Sequence, residues 1–255
     1  MRRLLLILVI AAVLLAAAFV VLAPASLVAG RVERMSAGTL TARNVEGTIW
    51  RGRGVLAGSD AQVPIAWTLD PASLLRGELQ AHVGPYDGIG NIPRADVLAG
   101  RERVQLRDVE MTLPVPLLSE MIGGRIAHRL GLVAEGDVSV RSASLDWIPP
   151  TSVNGNLDVQ WRRARFNLPG SAPIDLGDVT ARLNANGERL AGPIDNQGGV
   201  LDIRGDLTML PDKSGSVSLL LTPRRSDDQV LQRALATIGT AEGGGWRVNW
   251  QTPPR

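Results

Sequence analysis

The chain has 255 residues, 45% of them apolar, with 27 basic side chains against 25 acidic ones and no cysteine. The missing cysteines exclude a disulfide framework, a cysteine-based zinc site and a lipidated cysteine anchor, so packing alone must hold the fold. The pI of 9.8 goes with a net charge of only +2, spread along the chain with Lys213 as the one lysine, and the clustered basic patch that nucleic-acid binding requires is missing.

Leu4 to Leu22 is an unbroken run of Leu, Ile, Val, Ala and Phe. At about 1.5 Å per helical residue it reaches about 28 Å, close to a hydrocarbon core of about 30 Å. Arg2 and Arg3 precede it, which predicts a single transmembrane helix with Leu4, Leu8, Leu15, Phe19 and Leu22 in the anchor, and a cytoplasmic amino terminus. Almost all of the chain then lies on the far side of the membrane. A cleavable signal peptide is the competing reading, because Ala23 and Ala25 form an Ala-x-Ala pattern and Leu27-Val28-Ala29 offers a second site. Signal h-regions of about 7–15 residues are shorter than this run. The expected organisation is a cytoplasmic stub over 1–3, an anchor over 4–22, a juxtamembrane segment over 23–38 and a β-rich domain over 39–255.

Beyond the anchor, short apolar stretches alternate with polar residues between glycines, prolines, asparagines and aspartates. Leu157, Val159 and Trp161 alternate in this way, as do Leu201, Ile203 and Leu207, and Val217, Leu219 and Leu221. Period two is the pattern of half-buried strands joined by turns. The predicted fold is therefore mainly β: a twisted, mostly antiparallel, curved sheet or partly open barrel with one or two short amphipathic helices. Units that open at Gly47, Gly136, Gly155, Gly205 and Gly215 are too unevenly spaced for a repeat array. Arg94 to Arg103, charged and broken by Gly100, reads as a loop, and no linker-like run divides the chain.

Two segments carry helical stripes. Leu118, Ile122, Ile126 and Leu130 recur every four residues, weakened by Gly123 and Gly124. From Asp227 to Ile238, the residues Val230, Leu231, Ala234, Leu235 and Ile238 share a face, with Ser226 or Asp227 as the cap and Gly239 as the end.

Chemistry-bearing patterns are sparse. The two histidines, His82 and His128, have no Gly-x-Ser-x-Gly elbow beside them and no second ligand at metal-site spacing. Gly243 to Gly245 lacks the Lys-Ser/Thr of a phosphate loop. No catalytic residue, metal ligand or cofactor site is expected, although paired carboxylates that meet only in the fold stay open. Six tryptophans, Trp50, Trp67, Trp147, Trp161, Trp246 and Trp250, lie in or beside predicted strands, where large aromatics anchor cores and interfaces alike.

Val45-Glu46-Gly47-Thr48-Ile49-Trp50-Arg51-Gly52 is similar to the Gly-Thr-x-Trp-x-Gly segment of the type II secretion system protein N family. Trp67-Thr68-Leu69-Asp70-Pro71 and Leu74-Leu75-Arg76-Gly77 resemble its tryptophan strand and the turn that follows. Gly136 with its strand, Trp161, Leu176-Gly177, Asn196-Gln197-Gly198-Gly199, Gly205, Pro223-Arg224 and Leu235 to Gly239 extend the likeness in order, followed by Gly243 and Trp246. Gly47, Trp50, Gly52, Trp67, Trp161, Gly199, Gly205 and Gly239 are the motif positions to which the resemblance gives a structural or interaction role. The resemblance implies an accessory inner-membrane component of the machine that exports folded proteins from the periplasm across the outer membrane of Gram-negative bacteria. It implies protein partners, the inner-membrane clamp components and the secretin among them, and no cofactor, nucleic acid or small-molecule substrate. The family brings no active-site residues. An alternative from another class is a periplasmic lipid-binding or lipid-transfer module, because a curved sheet with one apolar face resembles AsmA-like proteins in outline.

Overall fold

The computed structural model describes residues 22–36, 40–58, 61–84, 93–121, 133–167, 173–225 and 228–252. Leu4, Leu8, Leu15 and Phe19 of the expected anchor lie outside the described residues, as do Ile122, Ile126, His128 and Leu130. No described helix is long and apolar enough to cross a membrane.

The alternating pattern folds into one antiparallel sheet of fourteen strands. β1 (Thr41–Gly47), β2 (Arg51–Ala57), β3 (Gln62–Asp70), β4 (Leu79–Gly84), β5 (Arg94–Ala99) and β6 (Val104–Pro114) follow one another in chain order. The long strands β7 (Val133–Ile148), β8 (Ser152–Asn167) and β9 (Ile174–Gly187) continue the meander into β10 (Leu190–Gln197), β11 (Leu201–Met209) and β12 (Gly215–Pro223). The order changes once, where β14 (Gly245–Thr252) pairs with β12 and leaves β13 (Thr240–Glu242) outermost. β1 and β13 are the edges, so the sheet does not close into a barrel.

Four short helices appear among the described residues: α1 (Ser26–Met35), α2 (Pro71–Leu75), α3 (Val115–Met121) and α4 (Gln229–Ile238). The apolar stripes predicted one or two. α2 is a single five-residue turn, too short to show a helical period, while in α1 the spacing of Val28, Val32 and Met35 is helical but spans only ten residues and is broken by Gly30. In α4, Leu231 and Leu235 are buried as predicted, while Ile238 overhangs the sheet and is 60% exposed because the chain turns away at Gly239 into the edge strand. The cap of α4 is Asp228, whose Oδ1 accepts from the Leu231 N–H at 2.9 Å; Ser226 and Asp227 lie outside the described residues. Arg94 to Arg103 corrects to a strand and a turn: buried Ala95 and half-buried Val97 alternate with Arg94 and Asp96 to make β5, and Gly100 begins the reversal.

Directly paired residues share a face. On one face Glu110, Arg141, Asp158 and Arg182 are successive partners across β6 to β9, so their charges alternate in sign and the basic residues form no patch. The other face is apolar, and the sheet rolls to bury it. Between β7 and β11 lie four strand spacings, about 19 Å in a flat sheet. Yet the Trp147 indole N–H in β7 donates to the Pro211 carbonyl just after β11 at 2.9 Å. Leu106 of β6 and Met209 of β11 likewise join one cluster around Leu145, Val153, Leu183 and Leu190. Bulges supply the bend: pairing shifts between Trp161 and Ala164, where Arg163 takes a φ of 51°, so these two residues face the same core despite being three apart.

Three clusters make up the core. The second lies under α4, with Leu176, Leu201, Ile203 and Leu221 beneath Leu231 and Leu235. The third joins β3 to β6. β4 pairs only with Ala66 to Asp70 and β5 only with Val104 to Glu110, which leaves a window beyond both short strands. α3 fills it with Leu117, which is fully buried against Leu40, Val63 and Leu113. Leu190→Ala should cost about 2–5 kcal/mol, as deletion of a fully packed leucine does. Trp147→Phe, which loses the hydrogen bond across the roll and part of the indole's packing, should cost about 1–3 kcal/mol. Urea unfolding of the two variants measures both; an unchanged midpoint for Trp147→Phe would remove that bond from the account of the roll.

Candidate functional site

Thr48, Ile49 and Trp50 turn β1 into β2. The Thr48 N–H donates to the Arg51 carbonyl at 2.9 Å, and the Arg51 N–H donates to Thr48 Oγ1 at 3.2 Å. Gly47 holds a φ of 92°, which only glycine adopts readily, to start this reversal. Gly52 pairs across the ladder with Trp67, and a Cβ at Gly52 would stand within the Trp67 ring. The bare glycine is the seat of the indole, an arrangement in which an aromatic covers the gap left by a strand glycine. The indole N–H then reaches back to the Ile49 carbonyl at 3.0 Å. The Gly-Thr-x-Trp-x-Gly spacing and the later tryptophan strand are thus one structural unit.

That unit grips the amino-terminal chain. Pro24 forms an antiparallel bridge with Thr48, the Ala25 N–H donates to the Gly47 carbonyl at 3.1 Å, and the Ile49 N–H donates to the Ala23 carbonyl at 2.9 Å. Ala23 and Ala25 are buried at 5% and 1% exposure. The two alanines that suggest a cleavage site are the small residues that fit under this hairpin. On its other side the Trp50 carbonyl accepts from the Leu69 N–H at 2.6 Å, which ties the hairpin to the end of β3. There Asp70 caps α2 through its Oδ1 and the Ala72 N–H at 3.0 Å. Ser73, fully buried, donates from Oγ to the Asp70 carbonyl at 2.6 Å and accepts from the Gln80 N–H at 3.0 Å.

The remaining motif positions gather elsewhere, around the core beneath α4. Trp161 donates to the Glu135 carbonyl at 2.9 Å and meets the Phe166 ring edge-on at 5.3 Å between centroids. Gly199 lies in the β10–β11 turn, Gly205 faces Leu219 within β11, and Gly239 packs against Trp246 and Val248 at the end of α4. The structure does not bring these four to Gly47, Trp50, Gly52 and Trp67. Between the two ends of the β10–β11 turn sits buried Asn196, whose amide nitrogen donates to the Leu176 and Leu201 carbonyls at 2.6 and 3.0 Å. Its Oδ1 accepts from the Ile203 N–H at 2.8 Å. Sequence reasoning quoted Asn196 only within the Asn196-Gln197-Gly198-Gly199 match, because its partners are long-range.

Among the described residues, titratable groups meet mainly as pairs. His82 Nδ1 lies 2.5 Å from Asp96 Oδ1 on the exposed surface of β4 and β5, while its Nε2 lies over Gly84. An open cleft of about 410 Å³ beyond β6 is lined by Pro114, Pro116, Glu135, Gly136, Asp137, Arg163 and Arg165. Its carboxylates are engaged, Asp137 with Arg163 and Glu135 with Asn167. Among the described residues no three His, Asp or Glu side chains gather as a metal site. Two hydrogen bonds from the Arg103 guanidinium, at 2.7 and 2.5 Å, hold the Asp146 carboxyl below the usual carboxylate range against the opposing effect of burial. Arg247 does the same for Glu242 in the edge hairpin.

The family model described as "Type II secretion system (T2SS), protein N" matches residues 38–249. The matched span contains all eight motif positions and begins beyond the apolar run. No curated protein and no solved structure matches the chain.

Gly52→Ala should destabilise the fold by about 1–3 kcal/mol through overpacking against the indole, and by less in a Trp67→Ala background. Additive costs in that double-mutant cycle would separate the two residues. The depressed Asp146 carboxyl stabilises the fold above its ordinary value of about 4, and this contribution is lost as pH falls through the lower folded value. The stability gap between the parent chain and Asp146→Asn should therefore be widest at neutral pH and shrink in acid; a gap of constant size would contradict the pairing.

Proposed function

We propose that this chain, which belongs to the type II secretion system protein N family, is an accessory component of that machine, anchored in the inner membrane by Leu4 to Leu22 with its β domain in the periplasm. There it assists export of folded proteins across the outer membrane through contacts with other components, the inner-membrane clamp proteins and the secretin among them. The observation that carries this reading is the family match over 38–249.

The clasp supports an uncleaved anchor. Cleavage after Ala25 would strip the buried alanines and the Pro24 bridge from the β1–β2 hairpin. A retained anchor confines the domain to the membrane plane, which raises the effective concentration of other membrane-held parts. The open sheet supports protein contacts, since an unpaired edge is a template for strand addition. β13 covers only Gly245 to Arg247 of β14, and Trp250 farther along that edge is 60% exposed.

One observation favours a second reading, a lipid-binding module. Val140, Val159, Ala181, Ile194, Gly205, Leu219 and Val248 are successive partners across the sheet and all half-buried, Ala181 against the cluster at Leu145 and Ile194, Leu219 and Val248 against the one beneath α4. Such a stripe suits an acyl chain, whereas neighbouring Leu201 and Ile203 are shut beneath α4.

A photo-crosslinker at Asn249 or Gln251, on the β14 edge, should capture other secretion components in cells, while one at Leu219 should capture no lipid. Lipid capture from Leu219 would favour the second reading. Normal secretion of every exported protein in a clean deletion strain, together with an empty crosslink at the edge, would overturn the first.

A further inference from the structure

The Leu74-Leu75-Arg76-Gly77 motif has no packing role that accounts for its two leucines. Leu75 is 92% exposed and Leu74 is 47% exposed, whereas the turn beneath them is rigid. Buried Ser73 is bonded to the Asp70 carbonyl and the Gln80 N–H, and Asp70 caps α2, so the leucines are held outward by a fixed frame. Exposed large apolar residues on a held turn mark an interaction surface.

The occupant follows from where the turn lies. Ala23 bonds to Ile49, the adjacent Trp50 bonds to Leu69, and Leu69 leads through Asp70 into α2. The chain that continues the apolar run therefore joins the domain about two strand spacings, about 10 Å, from the leucine turn. Leu22, at 70% exposure, and Leu27, at 54%, stand at the same end of the strands, as does Leu79 at the start of β4.

We infer that α2, through Leu74 and Leu75, docks the domain on the acyl-chain and headgroup boundary of the bilayer that the amino-terminal run enters. This rests on the anchored reading above. The anchor alone allows the domain to swivel about residue 22. Two leucines seated in the interface beside it add a second point of contact, which sets the tilt of the sheet and turns its far edge, β13 and β14, toward neighbours.

The absence of native cysteine allows one labelled position at a time. Full-length chain carrying Leu75→Cys, or Leu79→Cys as a second reporter, is labelled with an environment-sensitive fluorophore. It is then reconstituted into vesicles of phosphatidylethanolamine and phosphatidylglycerol. Ile238→Cys, also exposed but beside β14 at the far edge of the sheet, where Gly239 meets Trp246 and Val248, is the control. Brominated lipids should quench the labels at 75 and 79 severalfold more than the label at 238, with blue-shifted emission at 75. A label at 75 quenched by aqueous iodide and untouched by brominated lipid would overturn the docking surface, and so would one shielded from both, which would mean that protein covers the turn. Alkaline carbonate extraction of the same vesicles reads the anchor separately. A chain that resists extraction while its label stays in water keeps the anchor and loses the docking surface; a chain that is extracted loses the anchored reading and this one with it.

Discussion

A single β-sheet with one apolar face has to bury that face largely against itself, and the rest of this molecule follows from that requirement. Each long strand contributes a row of apolar side chains to the same side, and the chain has no disulfide to hold that side shut. Rolling is the solution. The Trp147 indole reaches Pro211 across four strand spacings, and the helices plug what the roll leaves open: α3 beyond the short β4 and β5, α4 over β12 and β14. The glycines that recur through the strands serve this bending, because tightly coiled strands approach more closely than a Cβ allows.

A roll that stops short of closure retains two edges, and the two are used differently. At β1 the arriving chain bridges the first hairpin, so that edge lies beside the proposed anchor. At β13 and β14 the ladder thins to a three-residue strand, with Trp250 exposed beside it. In the proposed reading the sheet spaces a membrane-side end from an edge suited to a protein partner, and the clasp of Gly47, Gly52 and Trp67 holds the first end together. Function in this reading is a matter of placement, with ion pairs such as Arg103–Asp146 tying turns to strands rather than assembling a reaction centre.

Much of the fold is legible in the residues, and the failures have identifiable causes. Period-two patterning locates β8, β11 and β12, and the stripe at Leu231 and Leu235 locates α4. It breaks down at bulges: Trp161 and Ala164 face one core although their spacing is odd, because Arg163 takes up the extra residue. Arg94 to Arg103 misleads because its charges face solvent while small Ala95 goes inside. Of the motif positions, Gly47, Gly52 and Trp67 are recognisable by type, but their union in one clasp depends on a strand pairing that no local pattern states. Ala23 and Ala25 are the most ambiguous in sequence, since small residues suit both a protease and a tight hairpin.

The sequence by itself determined the apolar amino-terminal run, the mainly β class, the lack of cysteine chemistry and the order of motifs that marks the family. These depend on composition and on neighbours along the chain, which local physics reads directly. Only the tertiary structure decided that the sheet stays open, that residues 23–25 are built into the first hairpin, and that Leu75 is held outward while Leu117 is fully enclosed. Those outcomes turn on which distant strands pair and how far the sheet bends, and two leucines identical in chemistry are separated only by where that bend leaves them.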